Sequence, residues 1–96
     1  MRNRYIVCYD ISDAKRLAKV YKKMRGFGDP VQYSVFKCDL SPQEKVMLII
    51  AINELINNKE DRIMIIKVGP LTSDINDVFE FLGKAAVFTA PEAKII

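Results

Sequence analysis

No histidine occurs anywhere in the 96 residues. This removes the imidazole general base, and with it the Ser-His and Cys-His dyads on which many hydrolases depend. Hydrolytic chemistry in this chain has to rest on carboxylates, a metal ion, or a lysine or tyrosine base. Cysteine is scarce: Cys8 and Cys38 both fall in apolar, strand-like runs, where buried reduced thiols are expected. Two thiols without an imidazole do not make a zinc site. Tryptophan is absent and aromatic residues make up only 9% of the chain, which argues against a base-stacking platform and for duplex binding. No apolar run approaches the roughly 18 residues that would span a bilayer. The start, Met1-Arg2-Asn3-Arg4, carries neither a signal-peptide core nor a small-residue cleavage site, so a cytoplasmic protein without membrane contact is expected.

What is present is a single small domain, read as residues 1–96. A chain this size buries only roughly 60–65% of its unfolded surface, so a hydrophobic fraction of 50% points to a further, intersubunit interface. The net charge of +3 is unevenly spread. Residues 1–40 hold nine basic and four acidic side chains, a net +5, whereas residues 41–96 hold six and eight, a net −2. That asymmetry suggests a polyanion on one side of the molecule.

The chain is organised around its first strand, Tyr5-Ile6-Val7-Cys8-Tyr9-Asp10, an apolar run that ends in a carboxylate just before a helix start. Asp10 is a turn former at the least, but strand ends of this kind often carry chemistry. Ser12 is read as the N-cap of a helix over about Asp13–Arg25, with Asp13 suited to the positive end of its dipole. Ala14, Leu17, Ala18, Tyr21 and Met24 share the apolar side. Lys15, Arg16, Lys19, Lys22 and Lys23 fill a separate arc of about 120°, which no acidic residue interrupts. Solvated charged faces normally mix signs, so this arc is assigned to phosphate binding.

Gly26 and Gly28 end the helix, with a left-handed cap expected there and Pro30 preventing continuation. They neither follow a strand nor open a helix, so a phosphate loop is excluded. Val31–Leu40 reads as one strand whose apolar side switches midway, with Ser34 and Phe36 on a common face and core packing the plain role for Phe36. Ser41-Pro42-Gln43-Glu44 is a capping box opening a helix to about Asn57. Arg62–Leu71 reads as a strand buried on both sides, Val78–Leu82 as another, and Ala86–Thr89 as a last short one. The fold class is α+β: a ferredoxin-like βαββαβ antiparallel sheet with both helices on one face and an extra C-terminal strand. The uncovered face then needs a partner, most simply a second copy about a two-fold axis.

These residues resemble the CRISPR-associated protein 2 family. The resemblance runs from Tyr9-Asp10 and Ser12-Asp13 through the basic helix with Lys15 and Arg16 to Val31-Gln32-Tyr33-Ser34-Val35-Phe36-Lys37-Cys38, its most distinctive stretch. Pro70-Leu71 and Val78-Phe79-Glu80-Phe81-Leu82-Gly83 extend it, so that it covers about residues 3–83. It implies a homodimer, metal-dependent endonuclease activity in some members, and a bridging role between CRISPR integrase subunits during spacer acquisition. The family's metal-binding aspartate falls on Asp10, and its positions important for cleavage fall on Arg16, Ser34 and Phe36. The tail from about residue 84 to 96 matches poorly and is expected to be loose or docked on a partner.

The chemistry is consistent with that resemblance. Mg²⁺ prefers one or two carboxylates, several waters and a phosphate oxygen, and two Asp10 side chains joined by dimer symmetry would meet that need. The ion would polarise a phosphodiester and deliver the nucleophile, which suits a chain without histidine. Lys15, Lys19, Lys22 and Lys23, with Arg16, would track duplex DNA or a single-stranded RNA backbone with little sequence preference. Two alternatives stand beside this: a non-catalytic duplex-binding scaffold, and an RNase toxin of the virulence-associated protein D type.

Overall fold

Strand β1 (Asn3–Asp10) runs through the middle of the sheet and divides its side chains strictly by parity. Tyr5, Val7 and Tyr9 enter the core, whereas Arg4, Ile6, Cys8 and Asp10 point to the other face. The computed structural model describes residues 1–71 and 79–84. Within them the order is β1, α1 (Ala14–Met24), β2 (Asp29–Gln32), β3 (Val35–Leu40), α2 (Pro42–Asn53) and β4 (Arg62–Pro70). The sheet order is β2-β3-β1-β4 with every pairing antiparallel, which is the ferredoxin-like arrangement.

Both helices lie on one face. Val20 and Met24 from α1 and Leu48 and Ile52 from α2 pack on Tyr5, Val7, Tyr9, Phe36, Cys38 and Leu40. Fully burying each aliphatic or aromatic side chain contributes about 1.5–3 kcal/mol, so this layer supplies most of the driving force.

The run Val31–Leu40 is a hairpin rather than one strand. Tyr33 and Ser34 form a two-residue connection, with Ser34 at φ +62° and Gln32 paired opposite Val35. The midway switch of apolar side therefore marks a reversal of the chain, and it supplies the ββ step of the fold. Ser34 lies in the turn and does not share a strand face with Phe36. Pro30 is tolerated because β2 is an edge strand, where a missing N–H is not needed by a neighbour.

The ends of the helices also differ in detail from the sequence reading. Asp13, not Ser12, caps α1: its Oδ2 accepts from the Arg16 N–H at 2.9 Å. The turn after α1 has no left-handed glycine, since neither Gly26 nor Gly28 has positive φ. Gly28 is required for space instead, because a Cβ there would sit 2.2 Å from the Lys37 carbonyl oxygen and 2.6 Å from Cys38 Sγ. The Ser41–Glu44 capping box is present as expected, with reciprocal bonds of 2.8 and 3.1 Å, but α2 ends at Asn53.

Among the described residues β4 is covered on one side only. Ile63 and Ile65 pack towards the helices, while Met64 and Ile66 on the opposite face are 52% and 43% exposed. Phe79–Leu82 form no strand. The rest of the expected C-terminal elements, namely Val78, residues 72–77 and residues 85–96, lie outside the described residues.

Candidate functional site

Asp10 closes β1 on the face away from the helices, exposed, with Arg62 opposite it in the β1–β4 register. Moving inward along that face come Cys8 opposite Met64 and Val35, then Ile6 opposite Ile66 and Lys37. The carboxylate therefore stands at one end of an apolar strip. No ion pair engages it among the described residues.

The backbone just beyond Asp10 is held by a carboxylate far away in sequence. Asp61, whose side chain is fully buried, accepts from the Ser12 N–H at 3.0 Å, the Asn57 N–H at 2.8 Å and Arg16 Nε at 2.8 Å. The Ser12 hydroxyl adds a contact of 3.2 Å, and Arg16 Nη2 reaches both Asp61 Oδ1 and Glu60 Oε1 at 3.2 Å. The Arg16 hydrogen bond foremost, then those from Asn57 and Ser12, hold Asp61 far below the usual carboxylate range despite its burial. The same bond raises Arg16 further. One charge-assisted knot thus ties the β1–α1 loop to the loop before β4.

Arg16 accordingly stands apart from the lysines of its arc. Its guanidinium is committed to Asp61 and Glu60, which the helix pattern gave no means of anticipating. Lys15, Lys19, Lys22 and Lys23 are exposed and have no ion-pair partner among the described residues. They keep α1's outer face cationic.

Phe36 has no exposed surface; it lies 6.2 Å from the Tyr9 ring and 5.5 Å from the Tyr21 ring, centroid to centroid. It cannot touch a substrate, and truncating it to alanine costs about 3–5 kcal/mol through the core. Ser34 reaches the site through its backbone: its carbonyl accepts from the Tyr9 N–H at 3.1 Å, locking the turn beside the last residues of β1. Burial, with smaller contributions from Tyr21 and Tyr33, pushes the Tyr9 phenol up to about 12, so it is no base at neutral pH. Burial likewise pushes the Cys38 thiol up to about 12, which leaves it inert as a nucleophile.

Among the described residues no group of three or more Cys, Asp or Glu side chains is placed to hold a metal ion. Asp13 is used as a cap and Asp61 as the knot, which leaves Asp10 as the hard oxygen donor nearest the uncovered face. One carboxylate per chain is few for Mg²⁺, which takes one or two carboxylates with waters and a phosphate oxygen. No helix of the described residues is long and apolar enough to cross a membrane.

Comparison with known proteins agrees with this fold. The profile of the family described as CRISPR associated protein Cas2 matches residues 2–73. The CRISPR-associated endoribonuclease Cas2 1 of Rhodospirillum rubrum is 37% identical over 92 residues, covering 96% of this chain and 89% of the relative. The CRISPR-associated endoribonuclease Cas2 of Geobacter sulfurreducens is 41% identical over 70 residues, covering 73% and 74%. The crystal structure of Streptococcus pyogenes Cas2 at pH 6.5 superposes with a TM-score of 0.72 at 30% identity, covering 83% of this chain and 99% of the other.

Proposed function

The chain belongs to the CRISPR associated protein Cas2 family, and from that premise we propose that it is a nucleic-acid-binding homodimer of CRISPR spacer acquisition that bridges integrase subunits and cuts phosphodiester bonds in RNA or DNA at paired Asp10 carboxylates. The observation that carries this reading is Asp10 itself: exposed, without an ion-pair partner among the described residues, at the end of an apolar strip that no helix of the described residues covers. Two sheets meeting through that strip about a two-fold axis bring one such carboxylate each. The Cas2 names of the relatives favour this over the toxin reading, and a neighbouring integrase and repeat array in the genome would separate the two.

The Asp10 pair would hold a divalent metal, Mg²⁺ by donor type. When bound, the ion supplies the charge that polarises a phosphodiester and lowers the pKa of a bound water. The remaining roles belong to the chain. The Asp61–Arg16–Ser12 knot fixes the backbone that follows Asp10, so the carboxylate has a stable base. Lys15, Lys19, Lys22 and Lys23 hold the phosphate backbone without reading sequence. The endoribonuclease names of the relatives make RNA the first substrate to test.

The test is cleavage of labelled RNA and DNA with and without Mg²⁺, comparing wild type with Asp10→Ala. The expected result is metal-dependent cleavage that Asp10→Ala abolishes; undiminished cleavage in excess EDTA would overturn the reading. A non-catalytic scaffold is the second reading, favoured by the single donor per chain and the engagement of Arg16 by Asp61. Spacer acquisition supported by Asp10→Ala would establish it.

A further inference from the structure

A cavity of about 480 Å³ opens on the helix side of the sheet, between α1 and the β2–β3 turn. Its size falls in the range of small-molecule sites, roughly 300–1,000 Å³. Ala14 and Ala18 form the α1 wall, and their small side chains leave the space that a longer residue would fill. Tyr9, Tyr21 and Tyr33 supply aromatic surface around it, and Gln32 and Ser34 supply an amide and a hydroxyl at the turn. Tyr33 is 83% exposed, an uneconomical position for a large ring that only serves packing.

Charge lies next to the cavity rather than in it. Lys15 and Lys22 each follow a lining residue, Ala14 and Tyr21, by one step of about 100° around the helix, which puts them on the outer face of α1 beside the cavity, and Lys22 also borders a second recess with Lys19, Lys23 and Leu55. Both are exposed and have no ion-pair partner among the described residues. An aromatic recess with a few hydrogen-bonding groups, beside the cationic outer face of a helix, suits a planar heterocycle attached to phosphates. It does not match an apolar peptide, which would leave the lysines unused, nor an intact duplex, whose bases are already stacked.

We propose that this cavity takes one unpaired nucleobase of a single-stranded nucleic acid, stacked on Tyr33 and met at its edge by Gln32 and Ser34, while Lys15 and Lys22 hold the flanking phosphates. The proposal rests on the reading of the chain as nucleic-acid-binding, and it departs from the expectation, drawn from the shortage of aromatics, that a duplex fits better than a base-stacking site. Tyr9 lines the cavity and Asp10 follows it in the chain. A base seated there would bring its strand to the end of β1.

The experiment measures binding in EDTA, so that its outcome is independent of Asp10 and of any cleavage. The probes are a 12-nucleotide single-stranded RNA carrying one internal 2-aminopurine and a blunt RNA duplex of the same length. Wild type is expected to quench the 2-aminopurine emission on binding. Tyr33→Ala, and Ala18→Leu, which fills the slot from the α1 wall, are expected to weaken single-strand binding roughly 5- to 100-fold and to abolish the quenching. Both are expected to leave duplex binding unchanged, and Tyr33→Phe is expected to behave as wild type. Both altered positions are exposed, and circular dichroism verifies that the variants are folded. Unchanged single-strand affinity and quenching in Tyr33→Ala and Ala18→Leu would overturn the pocket while leaving the Asp10 reading intact. Equal losses on single strand and duplex would also overturn it, because they would reduce the effect to the lysine face.

Discussion

Ser34 carries a backbone burden that its side chain does not explain. An L-residue at φ +62° costs roughly 1–2 kcal/mol relative to a right-handed conformation, and serine has no special tolerance of it. The hairpin overrides that cost because β2 and β3 pair on either side and the Ser34 carbonyl accepts from Tyr9. Ser34→Gly should therefore keep the turn and melt at or above wild type, whereas Ser34→Val, β-branched at positive φ, should lose about 1–2 kcal/mol in denaturant melts. Equal stability of the two variants would mean that the turn relaxes to another conformation. If Ser34→Gly also cuts RNA at the wild-type rate, the position matters through its backbone rather than its hydroxyl. The reversal was not legible in the sequence, because Tyr33-Ser34 contains none of the Gly, Asn or Asp that announce a two-residue turn. Residues favouring strands on both sides hid it.

Between elements, sequence distance decides what can be read in advance. The Ser41–Glu44 capping box spans three positions, so its chemistry is complete within one glance and it forms as expected. The α+β class was legible for the same reason, since apolar runs and helix starts are local signals, but the hairpin that makes the ββ step was not. The Asp61–Arg16 knot joins positions 45 apart, and nothing near Asp61 distinguishes it from any turn carboxylate. Its consequence is a pH dependence with a definite sign. The folded-state pKa of Asp61 lies below its unfolded value near 4, so the stability it contributes is complete above that value and is lost as pH falls towards the folded one. Wild type should accordingly lose melting temperature below about pH 5, and Asp61→Asn should show a lower melting temperature at pH 7 with a flatter fall in acid. Glu60→Gln, which removes only one exposed partner of Arg16, should cost less at pH 7. The capping carboxylate Glu44, also lowered, chiefly by the Ser41 backbone hydrogen bond, contributes to the same acid window in all three proteins and cancels in the comparison. A wild-type slope retained in Asp61→Asn would assign the acid sensitivity elsewhere.

At the scale of the whole molecule the uncovered sheet face sets the terms. Ile6 and Cys8 lie in its central strand, Met64 and Ile66 stand exposed on β4, and Asp10 sits at the strip's end. That strip was legible as a hydrophobic fraction too large for one small core and as the uncovered face of a ferredoxin-like sheet, although Arg62–Leu71 read locally as buried on both sides because its apolar run is continuous. A second copy covering it would remove apolar surface of a kind that monomers rarely leave in one patch. Interfaces of standard size bury about 800 Å² per partner, within the reach of one sheet face. The double variant Met64→Lys/Ile66→Lys places two cations in that strip without touching the helix-side core or Asp10. Light scattering should then fall from twice the 11.0 kDa chain mass to the chain mass itself. If the proposed Asp10 pair is the site, metal-dependent cleavage should disappear together with the dimer, although every residue at the end of β1 is unchanged. A monomer that still cleaves would separate the activity from the two-fold seam. A variant that remains dimeric would move the pairing to another surface, and the exposed Val46, Met47 and Ile50 on α2 would be the next to substitute.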